Sequence, residues 1–144
     1  MLDLGFRGHS FRCKGGGSDQ WGWRDPADLV SRVYHDIYHS QCCSVLLSYK
    51  GQFVVSANRI RGISKHIYYD LHQALVNPRG WAHQGWFLQG QHDTMSAPAL
   101  GYTIERLWSI LFQCYDVATV RHCPSFISGK IGAVHRGSCQ CLDT

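Results

Sequence analysis

The stretch APALGYTIERLWSILFQCY at residues 97–115 decides the fold, because it holds the strongest helical pattern in the sequence. Apolar side chains recur at i, i+3, i+4, i+7, i+8 and i+11, which is the spacing of one helix face. The pattern predicts an amphipathic helix from about Tyr102 to Tyr115, with Trp108 at the centre of its buried face. These positions are Ile104, Leu107, Trp108, Leu111, Phe112 and Tyr115.

Two charged residues of this helix are candidates for chemistry. Glu105 lies one turn before Trp108, so it borders the apolar face, where partial desolvation raises a carboxylate pKa and suits a general base. The alternative is an ion pair with Arg106 or another arginine that holds the helix in place. The residues alone favour the structural role.

The segment before this helix, residues 78–100, carries glycine and proline breaks and no sustained period, and we interpret it as a long loop or as disorder. Its aromatic residues are Trp81, Trp86 and Phe87. His92 and Asp93 could supply metal ligands or form a solvated turn, and the turn is the simpler interpretation.

Helices are also predicted further upstream. Asp25 and Pro26 are typical of a helix start, and apolar residues at helical spacing then continue to about His39. Ser56 is expected to cap a short helix that Gly62 ends, and Ser64 a second one that stops before Pro78.

Residues 43–56 are predicted to be extended. The runs SVLLSY and QFVV flank Lys50 and Gly51, which suggests a tight hairpin turn. Because FVV lacks polar alternation, we expect that strand to be buried on both faces.

Composition places the chain among ordinary globular domains. It has 144 residues, 44% hydrophobic and 17% charged, with a net charge of +4. These values argue against global disorder, and no apolar run is long enough to span a membrane. The basic residues are scattered and no nucleic-acid-binding motif is present, so we expect no nucleic-acid partner. We divide the chain into residues 1–24, a remnant strand with a Gly-rich loop, and residues 25–144, a single incomplete α/β domain with a Cys-containing tail.

Seven cysteines and nine histidines raise the question of zinc. His122, Cys123, His135, Cys139 and Cys141 supply enough ligands, but one residue between Cys139 and Cys141 is poor spacing for a structural zinc site. Disulfide or free-thiol chemistry is therefore favoured, and no metal is assigned.

The adjacent cysteines Cys42 and Cys43 come before a strand rather than at the start of a helix, where the helix dipole would activate a thiol. We interpret them as a buried or bridged pair rather than as a nucleophile. The sequence also lacks a Gly-rich phosphate loop and a GxSxG elbow, so no complete active site emerges.

Several segments together resemble a known family. They are LDLGFRGHSFRC, the Cys42–Cys43 pair, GQFVVSANRI, ISKHIYYDLHQAL, APALGYTIERLWSILF, HCPS and the terminal CQC. In this order they resemble the carboxy-terminal half of the fungal glycosyltransferase-like family known as domain of unknown function 3431. The resemblance covers nearly all of the chain but only the later part of the family's domain. Residues 44–50 look like additional sequence relative to that family.

The resemblance implies a partial GT-A-like glycosyltransferase domain, an α/β (α+β) fold with a few strands and three or four helices. A complete relative would transfer a sugar from a nucleotide sugar to a glycan acceptor, with Mn²⁺ or Mg²⁺ held by an amino-terminal half that is missing here. The chain would then be a truncated part, without a cofactor and inactive alone. A complete relative would be secretory or membrane-anchored, although this sequence shows no signal or anchor.

The resemblance also implies roles for particular residues. Glu105 and Arg106 match the family motif and are the catalytic candidates, with Glu105 as the base or an acceptor contact. Substrate-binding candidates are Trp81 and Trp86, by stacking on a sugar face, together with His92 and Asp93. Among the cysteines, Cys123 is expected to lie near Cys139 or Cys141.

The alternative from another class is a non-catalytic binding or interaction module. Its support is the aromatic-rich stretch from Trp81 to Phe87, because exposed aromatic residues often serve recognition. Missing partner strands would expose the same residues without any function.

Overall fold

The computed structural model describes residues 2–3, 9–14, 18–19, 21–49, 51 and 53–117. This part of the chain is a mixed α/β fold, as the sequence predicts, with short antiparallel strands and five α-helices rather than three or four. The elements are β1 Leu2–Asp3, β2 His9–Arg12, α1 Leu29–Tyr38, β3 Ser44–Leu47, β4 Phe53–Val54, α2 Ala57–Arg61, α3 Lys65–Val76, α4 Gly85–Leu88 and α5 Ala99–Leu111. The predictions for the glycines at 15–17 and for Cys123, Cys139 and Cys141 lie outside the described residues.

The predicted central helix is confirmed as α5, although it begins and ends earlier than its apolar pattern suggests. Its Leu107 and Ile110 are fully buried, and it packs on β3, α1 and α3. The expectation for Trp108 is wrong, since this side chain is only half-buried. Its ring stacks on Phe112 with centroids 5.7 Å apart and contacts Phe53 at 5.4 Å, at the margin of the core.

Helix α1 is confirmed, but its start is more complex than a simple cap. A 3₁₀ helix, Pro26–Asp28, comes first, and Ala27 and Asp28 have φ values of 53° and 51°. Asp25 still serves the helix, because its Oδ2 accepts the N–H of Val30 at 2.9 Å. Burial raises the pKa of Asp25 to about 7. Its Oδ1 is buried without a hydrogen-bond partner.

The predicted hairpin is wrong. Strand β3 pairs with β2, from His9 opposite Leu47 to Arg12 opposite Ser44, and β4 pairs with β1. Within β3, Val45 and Leu47 are fully buried, so the stretch that the family resemblance marks as additional supplies core side chains. The expectation for FVV is also wrong, because a two-stranded ladder leaves Val54 60% exposed.

The caps of the next two helices are confirmed. The hydroxyl of Ser56 accepts the N–H of Arg59 at 3.3 Å, and α2 ends at Arg61 before Gly62. The hydroxyl of Ser64 accepts the N–H of His66 at 3.3 Å at the start of α3. Helix α3 ends at Val76, before Pro78.

The prediction of a long loop or disorder over residues 78–100 is wrong. A 3₁₀ helix, Trp81–His83, is followed by α4 and by an antiparallel bridge between Thr94 and Ala97. Phe87 is buried at 1% exposure and anchors the segment in the core. Side-chain contacts rather than a helical period hold this region together.

The amino-terminal segments join the same core. Strand β2 lies on β3, and Cys13 forms a disulfide with Cys42. The prediction of a buried or bridged pair is therefore confirmed for Cys42 and wrong for Cys43, which is an exposed free thiol. Cys114 is also disulfide-bonded.

None of the helices in the described ranges is long and apolar enough to cross a membrane.

Candidate ligand-binding groove

A groove of about 140 Å³ lies between α1 and α3, with Trp81 among its lining residues. Its buried lining is apolar, whereas its charged lining residues are exposed. Small-molecule sites typically combine an apolar surface with a few polar groups. The lining residues are Leu29, Arg32, Val33, Asp36, Ile67, Asp70, Leu71 and Trp81.

Helical spacing explains why the charges border the apolar surface. Leu29 and Val33 lie one turn apart on α1. Arg32 and Asp36 are also one turn apart and form the neighbouring row of the same helix. On α3, Asp70 directly precedes Leu71, and its carboxylate lies 3.1 Å from His66. Residues four apart share a helix face, so each helix presents an apolar row beside a charged row.

The Trp81 ring is held by its aromatic neighbours. Phe87 meets it edge-on with centroids 5.0 Å apart, and Trp86 lies at 6.2 Å with an interplanar angle of 30°. Trp86 is 54% exposed. The structure thus brings together the two tryptophans that the sequence proposes for ligand stacking.

A buried ion pair fixes the segment that carries these rings. Nδ1 of His83 lies 2.7 Å from Oδ2 of Asp93, and Nε2 of His83 lies 3.2 Å from the carbonyl oxygen of Leu75. Both neighbours are acceptors, so the two hydrogen bonds form together only in the imidazolium form of His83, in which both ring nitrogens donate. The hydrogen bond to Asp93 raises the pKa of His83, and the same bond lowers the pKa of Asp93.

The His83–Asp93 pair also shows whether His92 and Asp93 form the solvated turn that the sequence suggests. The Asp93 side chain is only 10% exposed, so the solvated-turn interpretation is wrong for it, while His92 is exposed. Oδ1 of Asp93 accepts the N–H of Ala99 at 2.8 Å, at the start of α5. This geometry gives Asp93 a structural role, and substrate binding by His92 and Asp93 stays a prediction.

The second buried ion pair involves Arg106. Its Nε donates to Oδ2 of Asp19 at 2.8 Å, and its guanidinium lies over the rings of Trp23 and Tyr49, 4.6 and 5.2 Å from their centroids. The carboxylate bonded to Arg106 is thus Asp19.

Hydrogen bonds surround the Asp19 carboxylate. Its Oδ1 accepts the backbone N–H groups of Trp21 and Trp23 at 2.8 and 2.9 Å. Burial by itself would raise the pKa of Asp19, but the hydrogen bond from Arg106 and those from the two N–H groups outweigh it and lower that pKa.

Glu105 is not among the residues that line the groove. Glu105 is half-buried, and its carbonyl oxygen accepts the Ser48 hydroxyl at 3.0 Å. Catalytic roles for Glu105 and Arg106 stay predictions. The burial of Arg106 favours a structural one.

A larger cavity of about 410 Å³ lies beside Tyr38, Ser44 and residues 113–117. Its tyrosines are engaged internally. The Tyr38 hydroxyl donates to the carbonyl oxygen of Ile110 at 2.6 Å, and a hydrogen bond with Tyr34 raises the pKa of Tyr115 to about 12. We therefore prefer the α1–α3 groove as the ligand site.

No three His, Cys, Asp or Glu side chains come together as a metal site in the described ranges. The Mn²⁺ or Mg²⁺ that the family resemblance implies stays a prediction for a complete relative.

Sequence reasoning missed Arg32, Asp36 and Asp70 in the groove, and His83 and Asp19 in the two ion pairs. The i, i+4 spacing of Arg32 and Asp36 marks them as neighbours on α1. Nothing local marks α1 and α3 as partners, or Asp19 as the partner of a residue 87 positions away.

No protein-family model, curated protein or solved structure matches this chain. The resemblance to the fungal glycosyltransferase-like family stays a prediction from its motifs.

Proposed function

We propose that this chain binds a carbohydrate in the α1–α3 groove, as the acceptor-side part of a glycosyltransferase-like protein that is inactive without its nucleotide-sugar half. The observation that carries the proposal is the Trp81 indole in a groove that also presents Arg32, Asp36 and Asp70. A pyranose offers an apolar C–H face together with hydroxyl groups. An aromatic face suits the former, and carboxylate acceptors with a guanidinium donor suit the latter.

Preorganisation supports the proposal. Trp81 packs against buried Phe87, and the His83–Asp93 pair ties its segment to α3 and α5. A ring that is already ordered loses little conformational entropy on binding. The groove side chains Asp36 and Asp70 are exposed and reach solvent.

A single sugar should bind weakly. At about 0.3 kcal/mol per non-hydrogen atom, a hexose of roughly 12 such atoms gains about 4 kcal/mol, which corresponds to a Kd of about 1 mM. An oligosaccharide that also covers the exposed face of Trp86 should bind more tightly.

The test is a titration with neutral mono- and oligosaccharides, followed by ¹H–¹⁵N NMR. We expect saturable shifts in the amides of α1, α3 and Trp81, with Trp81→Leu weakening binding at least tenfold. Asp70→Asn, at an exposed position, should weaken it without affecting the fold. Trp21→Leu is the matched control, because Trp21 is 62% exposed and does not line the groove. Shifts elsewhere, or equal binding by Trp81→Leu and Trp21→Leu, would contradict the proposal.

The missing donor half is tested separately with uridine and guanosine diphosphate sugars plus Mn²⁺. We expect no micromolar binding by this chain. Micromolar binding would show that the chain carries its own nucleotide-sugar site and would refute the truncated-domain proposal, while leaving sugar binding in the groove intact.

The alternative is a non-catalytic binding or interaction module. The exposed Trp86 favours it, because its ring lies 6.2 Å from that of Trp81 and exposed aromatic residues often serve recognition. Sedimentation separates the two proposals. A stable monodisperse monomer supports a module, whereas aggregation supports a truncated domain with unpaired strand edges.

A further inference from the structure

Three cysteines meet at the end of the β2–β3 ladder. Cys13 and Cys42 form the disulfide and are 7% and 2% exposed. The next residue, Cys43, is an exposed free thiol. A solvent-accessible thiol is thus adjacent in sequence to a cysteine of a buried disulfide.

The strand register places Cys43 opposite Cys13. Arg12 pairs with Ser44, so the next pair along the ladder is Cys13 with Cys43. Their backbones are bonded accordingly, with the N–H of Cys13 donating to the carbonyl oxygen of Cys43 at 3.1 Å. Opposite residues of an antiparallel pair have Cα atoms about 4.5–5.5 Å apart, and a disulfide needs about 4.4–6.8 Å. The backbone spacing of Cys13 and Cys43 is therefore within the range that a disulfide between them requires.

We propose that Cys43 is a modification site at which the chain takes up a low-molecular-weight thiol as a mixed disulfide, with the Cys13–Cys42 bond as the oxidant. The two buried sulfurs are poorly accessible to an external thiolate, and access controls the rate of thiol–disulfide exchange. Exchange with Cys43 places one sulfur of the disulfide at an exposed position, where an external thiolate can attack it.

The chemistry balances in two steps. The Cys43 thiolate attacks Sγ of Cys13, so the Cys13–Cys43 bond forms while the Cys13–Cys42 bond breaks and its electron pair leaves on Sγ of Cys42. The external thiolate then attacks the exposed Sγ of Cys43 and displaces the Cys13 thiolate. The protons released by Cys43 and by the external thiol end on Cys42 and Cys13. One disulfide is consumed and one is formed, so no further oxidant is needed.

The first test treats the full oxidised chain with reduced glutathione, quenches with acid and maps the peptides without reduction. We expect an adduct of one glutathione on Cys43, with Cys13 and Cys42 as new thiols. Cys43→Ser should retain the Cys13–Cys42 bond and form adducts at least about tenfold more slowly. No adduct on the wild type, an adduct on Cys13 or Cys42, or equal rates for both proteins would overturn the proposal.

The second test uses Cys42→Ser, which asks directly whether Cys13 reaches Cys43. The proposal requires a Cys13–Cys43 disulfide in this variant after air oxidation, detected by non-reducing peptide mapping. Two free thiols at Cys13 and Cys43 in folded protein would overturn it. If this variant fails to fold, the wild-type adduct position still decides.

Discussion

Two buried ion pairs fasten irregular segments to α5, and they differ in their cation. The Asp19–Arg106 pair holds the segment around Trp21 and Trp23 against the middle of the helix. The His83–Asp93 pair holds residues 81–93 against its start. The distances, 2.8 and 2.7 Å, and the burial are alike.

The difference lies in how each cation responds when its partner is lost. A guanidinium remains charged at all accessible pH values, whereas an imidazolium can release its proton. Loss of the Asp19 carboxylate therefore leaves the charge of Arg106 buried without a counter-charge. The His83 site can escape an uncompensated charge by becoming neutral, so we expect the same removal of a carboxylate to cost less there.

The largest effect is expected for Asp19→Ala. Removing one partner of a buried pair costs about 3–5 kcal/mol of unfolding free energy, because Arg106 stays buried without a counter-charge. Urea denaturation at pH 7 measures the loss. Asp36→Ala is the control, since this side chain is 62% exposed and should change stability by less than about 0.5 kcal/mol. A loss below about 1 kcal/mol for Asp19→Ala would contradict the role assigned to this pair.

The next effect is expected for Asp93→Ala, at about 2–3 kcal/mol. This substitution removes the acceptor of His83 and of the Ala99 N–H, but His83 can become neutral. Denaturation measures the loss of unfolding free energy. His92→Ala is the control, because His92 is the exposed neighbour of Asp93, so the difference between the two variants reports on the buried carboxylate. If Asp93→Ala lowers the unfolding free energy as much as Asp19→Ala, the kind of cation does not determine the cost of losing its carboxylate.

The pH dependence should separate the two pairs further. The pKa of His83 is raised, so its contribution is complete below about pH 6.5 and is lost as the pH rises through the folded-state pKa. The pKa values of Asp93 and Asp19 are lowered, so their contributions are lost only as the pH falls below about 4. The cost of Asp93→Ala should therefore be smaller at pH 9 than at pH 5.5, while the cost of Asp19→Ala stays constant. Unfolding free energies of both variants at the two pH values check this, and equal behaviour would contradict it.

The smallest effect is expected for Asp25, whose carboxylate accepts hydrogen bonds from backbone N–H groups. Its pKa of about 7 lies above the ordinary value of 3.8, so the unfolding free energy should fall as the pH rises from about 4 to about 7. Asp25→Asn removes the buried charge and should therefore stabilise the protein at pH 8. The gain should be only about 1 kcal/mol, because the amide introduces a buried N–H without an acceptor, which offsets part of it. Thermal melts at pH 4.5 and 8 test the sign. Destabilisation at pH 8 as large as at pH 4.5 would contradict it.

For the candidate site, the sequence identified the aromatic part and missed the charged part. Trp81 and Trp86 stand out because a short stretch holds several aromatic residues, and the structure brings them together. Arg32, Asp36 and Asp70 become part of a site only because α1 packs on α3. That packing depends on which apolar faces meet, and neither helix encodes its partner within its own residues.

What the sequence by itself determined is the set of helices whose signals are local. The apolar period of α5 and the serine caps of α2 and α3 act over a few residues, so they are visible without the fold. The tertiary structure decided the strand partners, the Cys13–Cys42 disulfide and both ion pairs. A strand leaves its hydrogen-bonding groups open to any other strand, and a charge can pair with any opposite charge that folding brings near. Those choices depend on the whole chain, because burial of the common core selects which distant segments meet.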